Sequence, residues 1–262
     1  MKDNQDNRKK NTPSLIQKYP FYGVIGEKKV LVTGSGWYKH IPSGYKNNSQ
    51  IVAENLHGLN IEGTEMVSCV LPNMWDLSVG SINEAIEKIC PILMISIGTD
   101  DVIDIRLEKY ASNLAYGLDY SNPQKMKGRK IGHKKEYEKI LEKAPDLYEA
   151  ILPDGLTVPE LVKELLCEGI PTFAGDKIMQ DNEQWMSTAG YYLCNYFSYM
   201  SLHFIHTHQL PTKYLFMHIP TQPRYRAISL LEKKETTPAM ELHLAIKGIK
   251  IVIQKILQHM QY

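Results

Sequence analysis

The most constraining stretch of this sequence is PILMISIG, Pro91 to Gly98, an unbroken apolar run bounded by proline and glycine. A strand with one solvated face alternates apolar and polar residues. A run that is apolar at every position has to be covered on both faces. PILMISIG therefore predicts a central strand with helices above and below it. The neighbouring sequence supplies the rest of such a layer. KKVLVTGSG (Lys28 to Gly36) reads as a buried first strand, and EMVSCVLP (Glu65 to Pro72) as a second. Between the strands, SQIVAENLHGL (Ser49 to Leu59) reads as a helix with Ser49 as N-cap and Gly58 near its end, and SVGSINEAIEKIC (Ser78 to Cys90) as another. Strands alternating with helices predict an α/β protein, a three-layer α/β/α sandwich around a mixed, mostly parallel central sheet. Sites in such sheets gather at the C-terminal strand ends, so Thr33–Trp37, Pro72–Trp75 and Gly98–Asp101 are expected on one rim.

The remainder extends this plan. Residues 1–27 read as a polar N-terminal arm, and 28–262 as one α/β domain with insertions near 121–146 and 176–184. The first insertion is polar and basic and is expected to carry one solvated helix. LYEAILP and IPTFAG read as short strands flanking a helix at VPELVKELLCEG, Val158 to Gly169. KYLFMHIP (Lys213 to Pro220) is a strand ending at His218, and TPAMELHLAIKGIKIVIQKILQHM a long amphipathic final helix.

Composition narrows the class of function. A length of 262 residues allows a sizeable core, and a formal net charge of +1 argues against a nucleic-acid surface. Four widely spaced cysteines without a C-x-x-C pair fit free thiols in a reducing compartment. No apolar run reaches membrane-spanning length, and MKDNQDNRKKNTPS lacks the apolar core of a signal peptide. A cytoplasmic protein with no membrane partner is the expectation.

WMSTAGYYLCNYFSYMSLHFIH, Trp185 to His206, is where chemistry is expected. After Ser187, Thr188, Ala189 and Gly190 it runs without Gly or Pro, and Leu193, Tyr196, Tyr199, Met200 and Phe204 recur at helical spacing. Cys194 then falls near a helix N-terminus, where free N–H groups and the helix dipole favour a thiolate. On its own, a free cysteine is more often a small buried hydrophobe, as expected for Cys69, Cys90 and Cys167. A lone His218 would more often be a core histidine, and a lone Glu108 a surface residue.

Three stretches together change that balance. STAGYYLCN (Ser187 to Asn195) is similar to the box S-x-S-A-G-x-[FY]-x-C-N, FMHIP (Phe216 to Pro220) to F-x-H-[IV]-P, and IRLEKYASNL (Ile105 to Leu114) to [LIV]-[ST]-x-E-[KR]-x-A-x-N. In this order they resemble the pyroglutamyl peptidase I (pyrrolidone carboxyl peptidase) family of cysteine peptidases. The resemblance implies Cys194 as nucleophile, His218 as base and Glu108 as the acid that orients it. It also implies a pocket drawn from Ser35, Trp37, Tyr38, Leu71, Asn113, Ala189 and Gly190. The implied reaction removes N-terminal 5-oxoproline from a blocked peptide, without metal or organic cofactor, and homo-oligomers such as dimers or tetramers are common in the family.

Several positions depart from the family pattern. Where the family continues T-G with F-E-P-F-G-G, this chain has Ser35-Gly36-Trp37-Tyr38-Lys39. Leu118 stands where the family has an arginine past the glutamate, Met186 where the cysteine box has its first serine, and Arg106 where the glutamate box has Ser or Thr. Two alternatives to a pyroglutamyl peptidase therefore stay open: a small-amide hydrolase of altered specificity, and a degenerate member acting as a binding or assembly module. A third, a zinc hydrolase built on His203, His206 and His208, is the weakest because no H-E-x-x-H is present.

Overall fold

The structure, a computed structural model, describes residues 28–36, 45–118, 130–131, 137–181, 184–221 and 240–260. The expected arm at 1–27, and Trp37 and Tyr38 of the expected pocket, lie outside the described residues. The central sheet has seven strands: β1 (Lys29–Ser35), β2 (Asn60–Ile61), β3 (Thr64–Leu71), β4 (Leu93–Thr99), β5 (Ile105–Glu108), β6 (Thr172–Gly175) and β7 (Lys213–Ile219). Their spatial order is β6-β5-β7-β4-β1-β3-β2. β4, the strand of PILMISIG, is the middle one and is buried from Leu93 to Gly98. β3, β1, β4 and β7 run parallel; β5 pairs antiparallel with β7 and parallel with β6, and β2 closes the far edge antiparallel to β3. The sheet is mixed and mostly parallel, as expected.

Helices cover both faces. On one side lie α1 (Asn48–Leu56), α3 (Val158–Cys167) and α5 (Leu242–His259), whose Val52, Leu161, Leu165, Ile249, Val252 and Ile253 meet Val30, Ile95, Leu215 and Met217 in one apolar cluster. On the other lie α2 (Trp75–Ile89) and α4 (Leu193–Thr207), whose Trp75, Ile82, Phe197 and Ile205 meet Leu31, Met94, Tyr214 and Phe216. The period-2 alternation of β7 explains the division. Leu215, Met217 and Ile219 point to the first layer, while Tyr214, Phe216 and His218 point to the second.

Some local expectations are corrected. The N-cap of α1 is Asn47, whose side chain accepts from the Ser49 N–H; Ser49 lies inside the helix and uses its hydroxyl on the backbone of Ser35. No helix occurs among the described residues of the 121–146 excursion. Glu138 and Lys139 pair instead with Ala115 and Leu114, and both ends of the Asn113 amide hold the backbone of Leu141. These non-local bonds outweigh the weak helical preference of the sequence there. Ile178–Asp181 pairs antiparallel with Gln184–Ser187, so Trp185 lies in a strand and the helix starts only at Leu193.

Candidate active site

The N-terminus of α4 is held from the inside. Asn195, fully buried, donates through Nδ2 to the carbonyls of Ser112 (2.8 Å) and Leu114 (2.9 Å), and its Oδ1 accepts from the Ser112 N–H at 2.8 Å. This fixes Cys194, the second residue of the helix. The helix has no side-chain cap, and its first internal bond runs from the Tyr196 N–H to the Tyr192 carbonyl. The N–H groups of Leu193, Cys194 and Asn195 therefore have no acceptor within the helix.

His218 comes from the other direction. β7 places it beside Gly98 on β4 and Arg106 on β5. A Cβ on Gly98 would sit 2.9 Å from Cys194 Sγ and 3.1 Å from His218 Cδ2, so the bare backbone of Gly98 leaves the space in which sulfur and imidazole meet. Cys194 Sγ faces His218 on one side, and the His218 Nδ1–H donates to Glu108 Oε1 at 2.6 Å on the other. Glu108 is the last residue of β5 and is buried, where a lone glutamate would more often lie at the surface. Its second oxygen accepts from the Thr188 hydroxyl. A Cβ on Gly175 would lie 2.3 Å from that oxygen, so glycine is required there as well.

The electrostatics follow from burial and from these partners. Desolvation works against a charge on His218, but the charge and hydrogen bond of Cys194, and then those of Glu108, outweigh it and raise its pKa to about 10. Burial would raise the Glu108 carboxyl, yet the bond and charge of His218, the Arg106 guanidinium and the Thr188 hydroxyl hold it below the usual carboxylate range. A thiol, an imidazole and a buried carboxylate in series can perform acyl transfer by nucleophilic attack with proton relay.

A family model described as pyroglutamyl peptidase matches residues 28–259. The chain belongs to the pyroglutamyl peptidase family. That makes it a cysteine-type exopeptidase, a hydrolase. Among the relatives it resembles, a pyrrolidone-carboxylate peptidase of Mycobacterium marinum is 29% identical over 88% of this chain and 93% of the relative. Pyrrolidone-carboxylate peptidase 2 of Caldanaerobacter subterraneus is 32% identical over 81% of this chain and 89% of its own. The crystal structure of pyrrolidone carboxyl peptidase from Pyrococcus furiosus superposes with a TM-score of 0.71 at 27% identity, covering 88% of this chain and 98% of that one.

In this pyroglutamyl peptidase family member, the expected pocket residues divide by position. Ser35 and Leu71 end neighbouring parallel strands and are buried, and the Leu71 carbonyl accepts from the Gly36 N–H at 2.7 Å. The Gly36 carbonyl is held in turn by the Asn47 and Asn73 amides, so the chain entering the 37–44 segment is anchored on two sides. Ala189 and Gly190 form the turn just before α4, with Gly190 at a φ of 79°. Asn113 is 1% exposed, its amide engaged with Leu141 and Ala144.

Four residues at the site were not anticipated as site residues from the sequence: Arg106, Asp100, Thr188 and Asn195. Arg106 had a usable signal, because strand periodicity puts it on the same face as Glu108. Thr188 had none, since its bond to Glu108 spans a turn and two elements. The histidines of α4 are engaged elsewhere: His203 Nδ1 lies 2.9 Å from the Tyr148 hydroxyl, and His206 stacks on the Tyr148 ring. Among the described residues, no group of three His, Cys, Asp or Glu is placed to hold a metal.

Proposed function

We propose that this protein hydrolyses the bond following an N-terminal pyroglutamyl residue, using Cys194 as nucleophile, His218 as acid and base, and Glu108 as the group that orients His218. The observation that carries this reading is the convergence of Cys194, His218 and Glu108 from α4, β7 and β5, with His218 bonded to Glu108 and facing Cys194 across the bare backbone of Gly98. His218 takes the thiol proton as Cys194 Sγ attacks the pyroglutamyl carbonyl carbon, and the free N–H groups at the start of α4 receive the developing oxyanion. His218 then gives its proton to the leaving amine, leaving a thioester on Cys194. Water attacks that thioester with His218 taking its proton, which releases pyroglutamate and restores the thiol. Glu108 keeps the Nδ1 proton of the imidazole in place through both halves.

The lactam ring would sit between the anchored strand ends and the turn before α4, in a pocket drawn from Ser35, Trp37, Tyr38, Leu71, Asn113, Ala189 and Gly190. The four cysteines are free thiols, which supports a reducing, cytoplasmic location, and no helix among the described residues is long and apolar enough to cross a membrane. A single catalytic domain over 28–262, acting as a homodimer or homotetramer, completes the proposal.

The test is hydrolysis of a fluorogenic pyroglutamyl amide by wild type and Cys194→Ala, beside proline and alanine amides. Cleavage of the pyroglutamyl compound alone is expected, falling by about 10⁴-fold or more in the variant. Turnover of another amide instead would keep the mechanism and discard the substrate. No turnover at all, with Cys194 unreactive towards iodoacetamide, would leave a binding module.

A further inference from the structure

Arg106 is at the centre of the charges around His218, in a position where the family's glutamate box carries a small hydroxyl residue. Its Nε donates to Glu108 Oε1 at 2.5 Å, and its Nη2 to Asp100 Oδ2 at 3.0 Å. The same Nη2 lies 3.0 Å from His218 Nδ1, and the guanidinium rests 5.9 Å from the centre of the Phe173 ring. The side chain is 14% exposed, so water screens it little. Nδ1 carries a single proton or a single lone pair. With Glu108 Oε1 at 2.6 Å, that proton goes to the carboxylate, and Arg106, which is a donor only, faces an N–H at contact distance. The contact is therefore repulsive whenever the imidazole is charged, while the same guanidinium keeps Glu108 ionised.

We infer that Arg106, balanced by Asp100, is a positioning residue that locks the Glu108 carboxylate in place and sets how firmly His218 holds its proton. The inference rests on the triad reading above. Among the described residues, the charged and titratable groups facing His218 are few: Cys194 from α4, Glu108 and Arg106 from β5, and Asp100 from the turn between β4 and β5. β6 contributes Phe173 and Gly175, neither of which titrates. Asp100 senses the set from the outside. Burial would raise its carboxyl, but the His218 charge, the Asp101 N–H and Arg106 hold it down.

Two substitutions should therefore act with opposite sign. Removing a cation makes every neighbouring group hold its proton more tightly, and removing an anion does the reverse. In Arg106→Met, both limbs of the pH profile of kcat/KM should move up by about one unit. In Asp100→Asn both should move down. Arg106→Lys, which keeps charge but loses the planar Nε contact, should keep its limbs near wild type while kcat falls. Limbs that stay fixed, or that move in the same direction in Arg106→Met and Asp100→Asn, would overturn the inference. Should Arg106→Met not fold, Asp100→Asn, whose side chain is 46% exposed, still decides it. The His218 imidazole is also titrated by NMR in each variant. That midpoint reports on Arg106 even if wild type turns over no pyroglutamyl amide, so failure of this inference is separable from failure of the proposed function.

Discussion

The two faces of the central sheet are built from the same strands and do opposite things. The face under α1, α3 and α5 contributes Val30, Val32, Ile95, Leu215 and Met217, all buried and all apolar. The face under α2 and α4 buries Thr33, Ser96, Glu108 and His218 among its apolar neighbours, and the Thr33 hydroxyl donates to Ser96 Oγ at 2.9 Å. β7 alone contributes Met217 to the first and His218 to the second. Burying polar groups costs free energy unless each finds a partner, and here each charged one does. The lesson is that one layer supplies stability so that the other can hold a strained set of charges in fixed positions.

The largest contrast is expected from a pair of substitutions on neighbouring strands. Gly98→Ala would set a methyl 2.9 Å from both Cys194 Sγ and Phe216 Cζ. Displacing sulfur from imidazole by a fraction of an ångström should lower kcat by about 100-fold or more, with a stability loss of about 1–3 kcal/mol. Leu215→Ala, on the apolar face, should cost about 2–5 kcal/mol through cavity formation. Its kcat/KM, measured well below the unfolding transition, should stay at the wild-type value. Steady-state kinetics paired with denaturant titration separates the two. A loss of turnover in Leu215→Ala matching that of Gly98→Ala would show that the faces are not independent.

The pH dependence of stability sharpens the comparison, because among the described residues the buried carboxylate and imidazole of the sheet lie on one face. The His218 pKa is raised from 6.5 to about 10, so its contribution is complete below about 6.5 and is lost as pH rises through about 10. Glu108 is shifted the other way, and its contribution is present above the ordinary carboxylate range and lost as pH falls through its lowered pKa. The denaturation midpoint should therefore decline on both sides of neutrality. In Cys194→Ala, which removes the leading favourable partner of the imidazolium, the alkaline decline should shrink and be complete at lower pH. An alkaline limb identical in wild type and Cys194→Ala would contradict this assignment.

The legibility of the two faces in the sequence differs for the same reason. PILMISIG and KKVLVTG declare themselves because a doubly covered strand is apolar throughout, and α3 and α5 because their apolar residues recur with helical period. The order of Cys194, His218 and Glu108 was readable only through short boxes resembling a family, not from periodicity. What escaped is held by non-local bonds. β5 is only four residues, alternating buried Ile105 and Leu107 with Arg106 and Glu108, and its antiparallel pairing with β7 joins positions about a hundred residues apart. Glu138–Lys139 read as part of a helical stretch until the Asn113 amide and the Leu114–Ala115 strand claimed its backbone. Arg106 was visible as a departure from the box, but its meaning depends on Asp100 and His218, which only the fold brings beside it.

The smallest expected effect tests how far the apolar layer is insulated from the chemistry. Thr157 caps α3: its Oγ1 accepts from the Glu160 N–H at 3.4 Å, while the Glu160 carboxylate accepts from the Thr157 N–H at 2.7 Å. Thr157→Ala removes one half of this capping box and should cost about 1 kcal/mol, or about 2–4 °C in Tm for a chain of this size. α3 packs on β6, and β6 carries Gly175, over which the Glu108 carboxylate lies. If the layer is only a support, the loosened end of α3 should leave kcat/KM and its pH limbs at wild-type values. If kcat/KM falls by more than the fraction unfolded, the position of Gly175 depends on α3. The apolar face would then be tuning Glu108 through β6 rather than merely holding up the sheet.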